Sequence, residues 1–500
     1  MITDNSIFNL SDFDSYKEGN RREVKRARGG LPNSLWETYS AFANTNGGVI
    51  ILGVDENSDG SWKTSGLKKT DTAKLIKNFW DCVNDVKKVS ICLLKDKDVN
   101  TYEIEDDLII VIFVPRAERA LKPVFINNDM FTGTFKRNGE GDYHCTKLQV
   151  KSMLRDQEED TMDMRVVERF DLSVIDSDTL RAYRNNHKTK KPEHPWVNLS
   201  DENFLVRIGA AKLGEDDKLH PTCAGLLMFG TEPMILYEYP EYFLDYREEM
   251  ETNVRWTERL QSMAGDWSGN LYDFFYRVYN RIQKYVAKPF KLEGIYRVED
   301  TPVHKALREA LVNCIANTDF SVPRGIVIRM NQDTLTLENP GTIRVGKDQM
   351  FKGGVSDPRN KAIMKMFSLL DIGERAGSGF PQILETWEEE KWAKPIVEES
   401  GDNVDRTKVT LLLKNGDEVK NGTVNGTVNG TVNGTDKDLS ETERVIYETM
   451  GTNKNITIEE LVLQIKKSRR TIVRTINSLK EKGYIRREGS DKSGSWIILK

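Results

Sequence analysis

The chain has 500 residues, 38% hydrophobic and 30% charged, which is more than one ordinary hydrophobic core organises and predicts three or four domains. No apolar run reaches the length that spans a bilayer. Asp4, Asp12 and Asp14 stand where a signal peptide would be basic and apolar, so a cytoplasmic protein with no membrane partner is expected. The five scattered cysteines form no Cys-x-x-Cys pair and argue against disulfides and structural zinc, while a net charge of −5 argues against coating nucleic acid along the whole length.

The first unit, residues 10–150, reads as strands with a helix. Ser34-Leu-Trp-Glu37 has capping-box spacing, Leu35, Tyr39, Phe42 and Ala43 share one face, and Asn46-Gly47-Gly48 ends the helix. Val49-Ile-Ile-Leu-Gly-Val54 then predicts a single buried strand. Six basic and two acidic residues fall between Lys17 and Arg28. A soft boundary is expected over 156–195, and residues 200–300 read as a connecting α/β segment.

Residues 301–415 carry a helix, a hairpin (Ile326–Met330 with Thr334–Glu338) and glycine-rich loops. On the helix, Val303, Leu307, Ala310, Leu311 and Cys314 face inward, while Glu309, Asn313 and Asn317 form a polar stripe at four-residue spacing. An amide carbonyl such as that of Asn313 suits hard Mg2+, and Glu309 one turn earlier suits a base acting on water. Gly377 and Gly379, flanking Ser378, let backbone N–H groups approach phosphate without Cβ interference. Gly341-Thr-Ile-Arg-Val-Gly-Lys347 mimics a P-loop but lacks its hydroxyl residue, Asp348 standing there instead.

Asn-Gly-Thr-Val repeats with period four within residues 416–437, a tract that cannot bury a core and reads as a tether. The last unit, 438–500, is basic. Leu439 to Lys500 contains 13 Lys/Arg against 8 Asp/Glu, or +5, leaving about −10 for the remainder. It reads as three helices and a two-stranded wing, with Ile472, Val473, Ile476 and Leu479 inward and Arg470, Arg474 and Asn477 outward.

Three resemblances sharpen this α+β multidomain reading. Ala41-Phe-Ala-Asn-Thr-Asn-Gly-Gly48, Val111-Ile-Phe-Val-Pro115 and Phe135-Lys-Arg-Asn-Gly139 resemble the Schlafen AlbA domain, an α/β fold. That resemblance implies nucleic-acid binding, with Lys25, Arg26, Lys136 and Arg137 as phosphate contacts. Some Schlafen proteins are metal-dependent nucleases, which would assign Glu18 and Glu23, completed by Asp55 or Asp59, as the carboxylate set. Glu309-Ala-Leu-Val-Asn313, Asn339-Pro-Gly341 and Gly377-Ser-Gly379 resemble the GHKL ATP-binding α/β sandwich, in the RecG-like branch at the C-terminal end of Schlafen/AlbA-type regulators. This implies ATP and Mg2+, with Asn313, Asn317, Asn339, Gly341, Gly377, Ser378 and Gly379 on the nucleotide and Glu309 on water. Asn317-Thr-Asp-Phe320 replaces the family's His-Arg-Asp-Tyr, and Glu338-Asn339 replaces the adenine-holding Asp, so binding is expected over fast hydrolysis.

The C-terminal unit resembles a winged helix-turn-helix, which implies Arg470, Arg474 and Asn477 on base edges and Arg486 and Arg487 on phosphates. The expected protein is a homo-oligomeric, ATP-binding regulator of transcription or defence that engages DNA or RNA. An ATP-gated Schlafen-type nuclease and an ATP-stabilised oligomeric scaffold are the alternatives.

Overall fold

The computed structural model describes residues 8–250, 255–286, 292–293, 296–297, 300–373, 377–400 and 404–413, with interrupted positions between 446 and 498. They fall into two compact units, Met1–Gly422 and Thr423–Lys500.

The first unit begins with a four-stranded sheet in the order Arg22–Lys25, Gly48–Leu52, Asp107–Val114, Val99–Ile104; the first pair is parallel and the others antiparallel. Helices Ser34–Asn44 and Lys69–Val83 cover one face, where Leu35, Tyr39, Phe42 and Phe79 pack on Ile50, Leu52, Ile110 and Ile112. Phe8, Phe13 and Trp62 cover the other face, over Val49, Ile51, Ile109 and Val111. Coverage on both sides is why the central strands are continuously apolar rather than alternating. Each fully buried Leu or Phe contributes about 1.5–3 kcal/mol.

Two local expectations are corrected here. The strand predicted through Val54 breaks at Gly53 (φ +91°), and Val54–Glu56 pairs with Trp62–Thr64 instead. A Cβ on Gly53 would lie 2.7 Å from the Leu67 side chain. Ser34 is the first helical residue rather than a cap: Pro32 and Asn33 carbonyls take the Leu35 and Trp36 N–H groups at 3.1 and 3.2 Å, so a preceding turn replaces the capping box. The helix ends as expected, with the Gly47 N–H (φ +68°) donating to Phe42 O at 2.8 Å.

A six-stranded sheet organises the rest of the unit, in the order Glu258–Gln261, Leu244–Glu249, Ile326–Asn331, Thr334–Pro340, Arg406–Leu412, Ile396–Ser400. Leu244–Glu249 runs parallel to Ile326–Asn331; the other neighbours are antiparallel. Helices Leu271–Ile282, Pro302–Ala316, Lys361–Ser368 and Gly379–Glu389 share one core with this sheet. The segment 200–300 is therefore no connector. It supplies two strands and a helix to the domain expected at 301–415, and the expected division at residue 301 cuts through one core. Nor is 156–195 a gap, because helix Ser177–Lys190 buries Leu180 and Tyr183 in that same core.

In the second unit Ile446, Met450, Ile456, Leu461, Ile472, Ile476, Leu479, Tyr484 and Ile485 form a small core of their own. Ile485–Glu488 pairs antiparallel with Ser495–Ile498, where the wing was expected. Arg470, Arg474, Asn477 and the tether lie outside the described residues, as do the side chains of Arg486 and Arg487. Because each unit has its own core, deleting residues 423–500 is expected to leave the melting temperature of the remainder within about 2 °C of its value in the full chain. A shared cooperative transition in calorimetry of the full chain, lost on truncation, would contradict this. Among the described residues no helix is long and apolar enough to cross a membrane.

Candidate functional site

Helix Pro302–Ala316 begins with Thr301 accepting the His304 N–H and Pro302 in its first turn. Its polar stripe does not face open solvent. Glu309 is buried and Asn313 half-buried, and Asn313 Nδ2 donates to Glu309 Oε1 at 3.0 Å, which leaves Asn313 Oδ1 available as a ligand atom. Asn317 caps the helix and donates to Asn313 O at 2.9 Å. Asn339 ends the strand Thr334–Pro340, and its Nδ2 donates to Asn317 O at 3.4 Å and Pro340 O at 3.1 Å.

Glu309, Asn313, Asn317, Asn339, Gly377 and Gly379 line one cavity of about 960 Å³ including its open mouth. Gly377 has φ +70°, and Gly379 opens helix Gly379–Glu389, so the N-terminus of that helix lies at the cavity. A Cβ on Gly379 would collide with Glu309 Oε1, so glycine here lets the loop meet the carboxylate. The floor is the paired pair Leu337 and Val409, with Asn339 opposite Thr407 one step along.

Two predicted contacts are not part of this lining. Gly341 (φ +102°) is not in a turn beginning at Asn339 but follows the strand, and lines a neighbouring cavity. Ser378 is not among the lining residues. The P-loop mimic is a decoy structurally too, since Lys347 Nζ donates to Val397 O at 2.6 Å. Glu338 is taken by Arg406 at 2.5 Å. Sequence reasoning missed Arg344, Asp357 and Thr407, which also line the pocket. Asp357 pairs with Arg119 of the N-terminal domain at 2.8 Å, and Arg116 donates to Ile343 O at 2.9 Å. These contacts cross more than 200 positions of sequence, so no local pattern announces them.

The N-terminal basic cluster is largely spent inside its own fold. Lys25 pairs with Glu23 at 2.5 Å, and Arg22 lies 4.2 Å over the Tyr16 ring. Arg137, expected on phosphate, has a side chain only 1% exposed, held by Glu23 at 2.8 Å and Asp142 at 2.9 Å. It is a buried structural cation, because strand Phe135–Asn138 alternates inward at that position. Lys136 is half-buried and lines the neighbouring cavity, whereas Arg26 is 63% exposed with Asp55 3.4 Å away.

The proposed nuclease carboxylates are likewise committed. Glu18 Oε1 accepts the Val24 N–H at 2.9 Å, and burial raises its carboxyl above the usual range, with Glu23 and Glu56 adding to the rise. Among the described residues Glu18, Glu23 and Asp55 do not converge at metal-sharing distance; the group that does is Glu168, Asp216 and His220, where His220 Nε2 lies 2.8 Å from Asp216.

Residues 16–146 match the family described as "Schlafen, AlbA_2", and residues 324–411 match "Putative ATP-dependent DNA helicase recG C-terminal". The chain carries a Schlafen AlbA_2 domain and a RecG C-terminal-type HATPase domain. Between them, residues 151–245 match DUF8451, a domain of unknown function. The HATPase match contains Asn339, Gly341 and Gly377–Gly379 and begins after Glu309 and Asn313. Among solved structures, the DIP2311 protein from Corynebacterium diphtheriae aligns over 96% of this chain and 92% of its own, at 15% identity and a TM-score of 0.39. The N-terminal domain of a RecG-related protein from Nitrosomonas europaea aligns over 27% of this chain and 90% of its own, at 26% identity and a TM-score of 0.21. No curated protein matches the chain. The two named domains point to a nucleic-acid-related, ATP-binding protein.

Proposed function

We propose that the chain is a cytoplasmic, ATP-binding regulator of transcription or defence that engages DNA or RNA, with Mg·ATP in the HATPase cavity controlling that engagement or the assembly of identical chains. The observation that carries the reading is the convergence of Glu309, Asn313, Asn317, Asn339, Gly377 and Gly379 on one cavity from three separate stretches of sequence. In this reading the phosphates lie over Gly377 and the first turn of helix Gly379–Glu389, and Mg2+ takes Asn313 Oδ1 with phosphate oxygens. The base lies on Leu337 and Val409, with Asn339 and Thr407 at its edge. Glu309, beside Asn313, orients water for slow turnover.

The committed ion pairs of Glu23 and Asp55 favour the binding role of the AlbA_2 domain over cleavage. Its solvent-facing contribution is Arg26, and the C-terminal unit adds Arg470, Arg474, Asn477, Arg486 and Arg487.

Asn313→Ala is expected to weaken Mg·ATP binding about tenfold or more, equivalent to about 1.4 kcal/mol, while Glu309→Ala keeps binding and stops turnover. Titration calorimetry and phosphate release read these two separately. Unchanged Mg·ATP affinity in Asn313→Ala would overturn the assignment.

A further inference from the structure

A second cavity, between the AlbA_2 domain and the HATPase domain, is lined by seven cations against four carboxylates. Asn44, Lys122 and Lys136 form one wall, and Thr342, Glu399 and Asp405 the other, around about 1,130 Å³ including the mouth. Most cations facing it are matched. Arg119 pairs with Asp357, Arg137 with Glu23 and Asp142, and Arg359 with Asp156.

Lys122 and Arg116 are different. Lys122 is 8% exposed, and its ammonium donates to a backbone carbonyl alone, Asn44 O at 2.5 Å. Arg116 donates only to the carbonyls of Thr45, Ile343 and Arg344. Among the described residues neither has a carboxylate within salt-bridge distance; Lys122 feels the charge of Arg116, while Glu399 and Asp348 act on Arg116 only from farther off. Burying a cation without a counter-ion costs several kcal/mol, and a bound anion removes that cost. The acids present do not supply it. Glu399 accepts the Ile343 N–H at 2.7 Å, and burial shifts Asp405 toward its neutral form while it accepts from Gln149 at 2.6 Å. Leu148 and Met153 add an apolar patch to the same lining.

We propose that this interdomain cavity binds a second phosphorylated ligand of mononucleotide size, its phosphate held by Arg116, Lys122 and Lys136 and its base against Leu148 and Met153. The walls come from two domains and enclose a space suited to a small molecule rather than a polymer. The site is separate from the ATP cavity and does not depend on its assignment, although Thr342 and Arg344 line both.

Burial first, and then Arg116, hold the Lys122 ammonium well below the usual lysine range, against Glu399, Asp156 and Cys145, which act in the other direction. A phosphate beside it raises that value. Binding between the two values therefore takes up a proton.

The test is calorimetry of full-length protein with AMP and with inorganic pyrophosphate, in two buffers of different ionisation enthalpy. Asn313→Ala protein is expected to bind AMP as wild type does. Lys122→Met is expected to weaken AMP about tenfold or more, the loss of one charge-assisted contact, and to abolish the buffer-dependent part of the heat. If Lys122→Met melts early, Lys136→Gln, at a half-buried position, carries the same affinity test. Pyrophosphate binding that follows the same variants assigns the contact to the phosphate. The proposal is overturned if AMP fails to bind, if its affinity ignores both lysine variants, or if Asn313→Ala alone removes it, which would place the ligand in the ATP cavity.

Discussion

Arg359→Ala is expected to destabilise the first unit by about 3–5 kcal/mol, the cost of breaking a buried ion pair from one side. Its guanidinium meets both Asp156 oxygens, at 2.7 and 3.1 Å, and donates to Asn317 O at 2.7 Å. It thus ties helix Lys147–Gln157 to the C-terminal cap of the nucleotide-site helix. Removing it leaves the half-buried Asp156 with the more distant Arg344, 4.0 Å away, and the weaker charge of Arg155. Urea denaturation measures the loss, and the double change Arg359→Met/Asp156→Leu is expected to recover part of it, since no lone charge then remains. Burial pushes the Asp156 carboxyl up, but Arg359 and Arg344 outweigh it and hold it below the usual range. The pair's contribution is accordingly full above the unfolded carboxyl's value of about 3.9 and fades as pH falls through the lower folded value. An Arg359→Ala protein as stable as wild type at neutral pH would refute this account of the junction.

Gly377→Val is expected to abolish measurable Mg·ATP binding while sparing most of the fold. The residue has φ +70°, and a Cβ would lie 2.5 Å from Val355 N and 2.6 Å from Val355 O, so backbone rather than a movable side chain is in the way. The Gly354 N–H to Gly377 O bond of 3.0 Å, which joins the two glycine loops, would break. Strain of this kind costs about 1–3 kcal/mol, but the loop would move off the phosphates. Gly354→Ala is the control: its φ is +80°, yet nothing stands within 4 Å of the added Cβ. Nucleotide titration should separate the two variants. Equal affinities would show that the Gly377 loop does not touch the ligand.

The polar stripe of helix Pro302–Ala316 was legible in sequence from its four-residue spacing: Glu309, Asn313 and Asn317 reach one cavity, beside Ala310 and Cys314 of the apolar face, although the helix is buried nearly all round. The hairpin was legible for the same reason, its apolar alternation matching the buried positions of Ile326, Ile328 and Met330. Charge was not legible. A count along Lys17–Arg28 treats every cation as solvated, whereas Arg22–Lys25 is a strand in a sheet and buries Glu23 and Val24. Arg137 reads as basic surface until its partner Glu23, 114 positions away, is known. The edges of the nucleotide-site domain were misplaced because strand Leu244–Glu249 joins its sheet from outside the recognisable motif, and parallel pairing leaves no turn signal between partners.

The Glu18 to Val24 hydrogen bond has a consequence for solubility. Strand Arg22–Lys25 is the rim of its sheet, and its outward amide is a template on which a stray strand can add. Glu18 occupies the Val24 N–H, while the Gly19 N–H and Arg137 take the Arg22 carbonyl at 3.2 and 3.3 Å. The chain folds back and seals its own margin. A carboxylate that resembles a catalytic ligand thus guards against aggregation, and its loss would first be felt as turbidity on concentration rather than as altered chemistry.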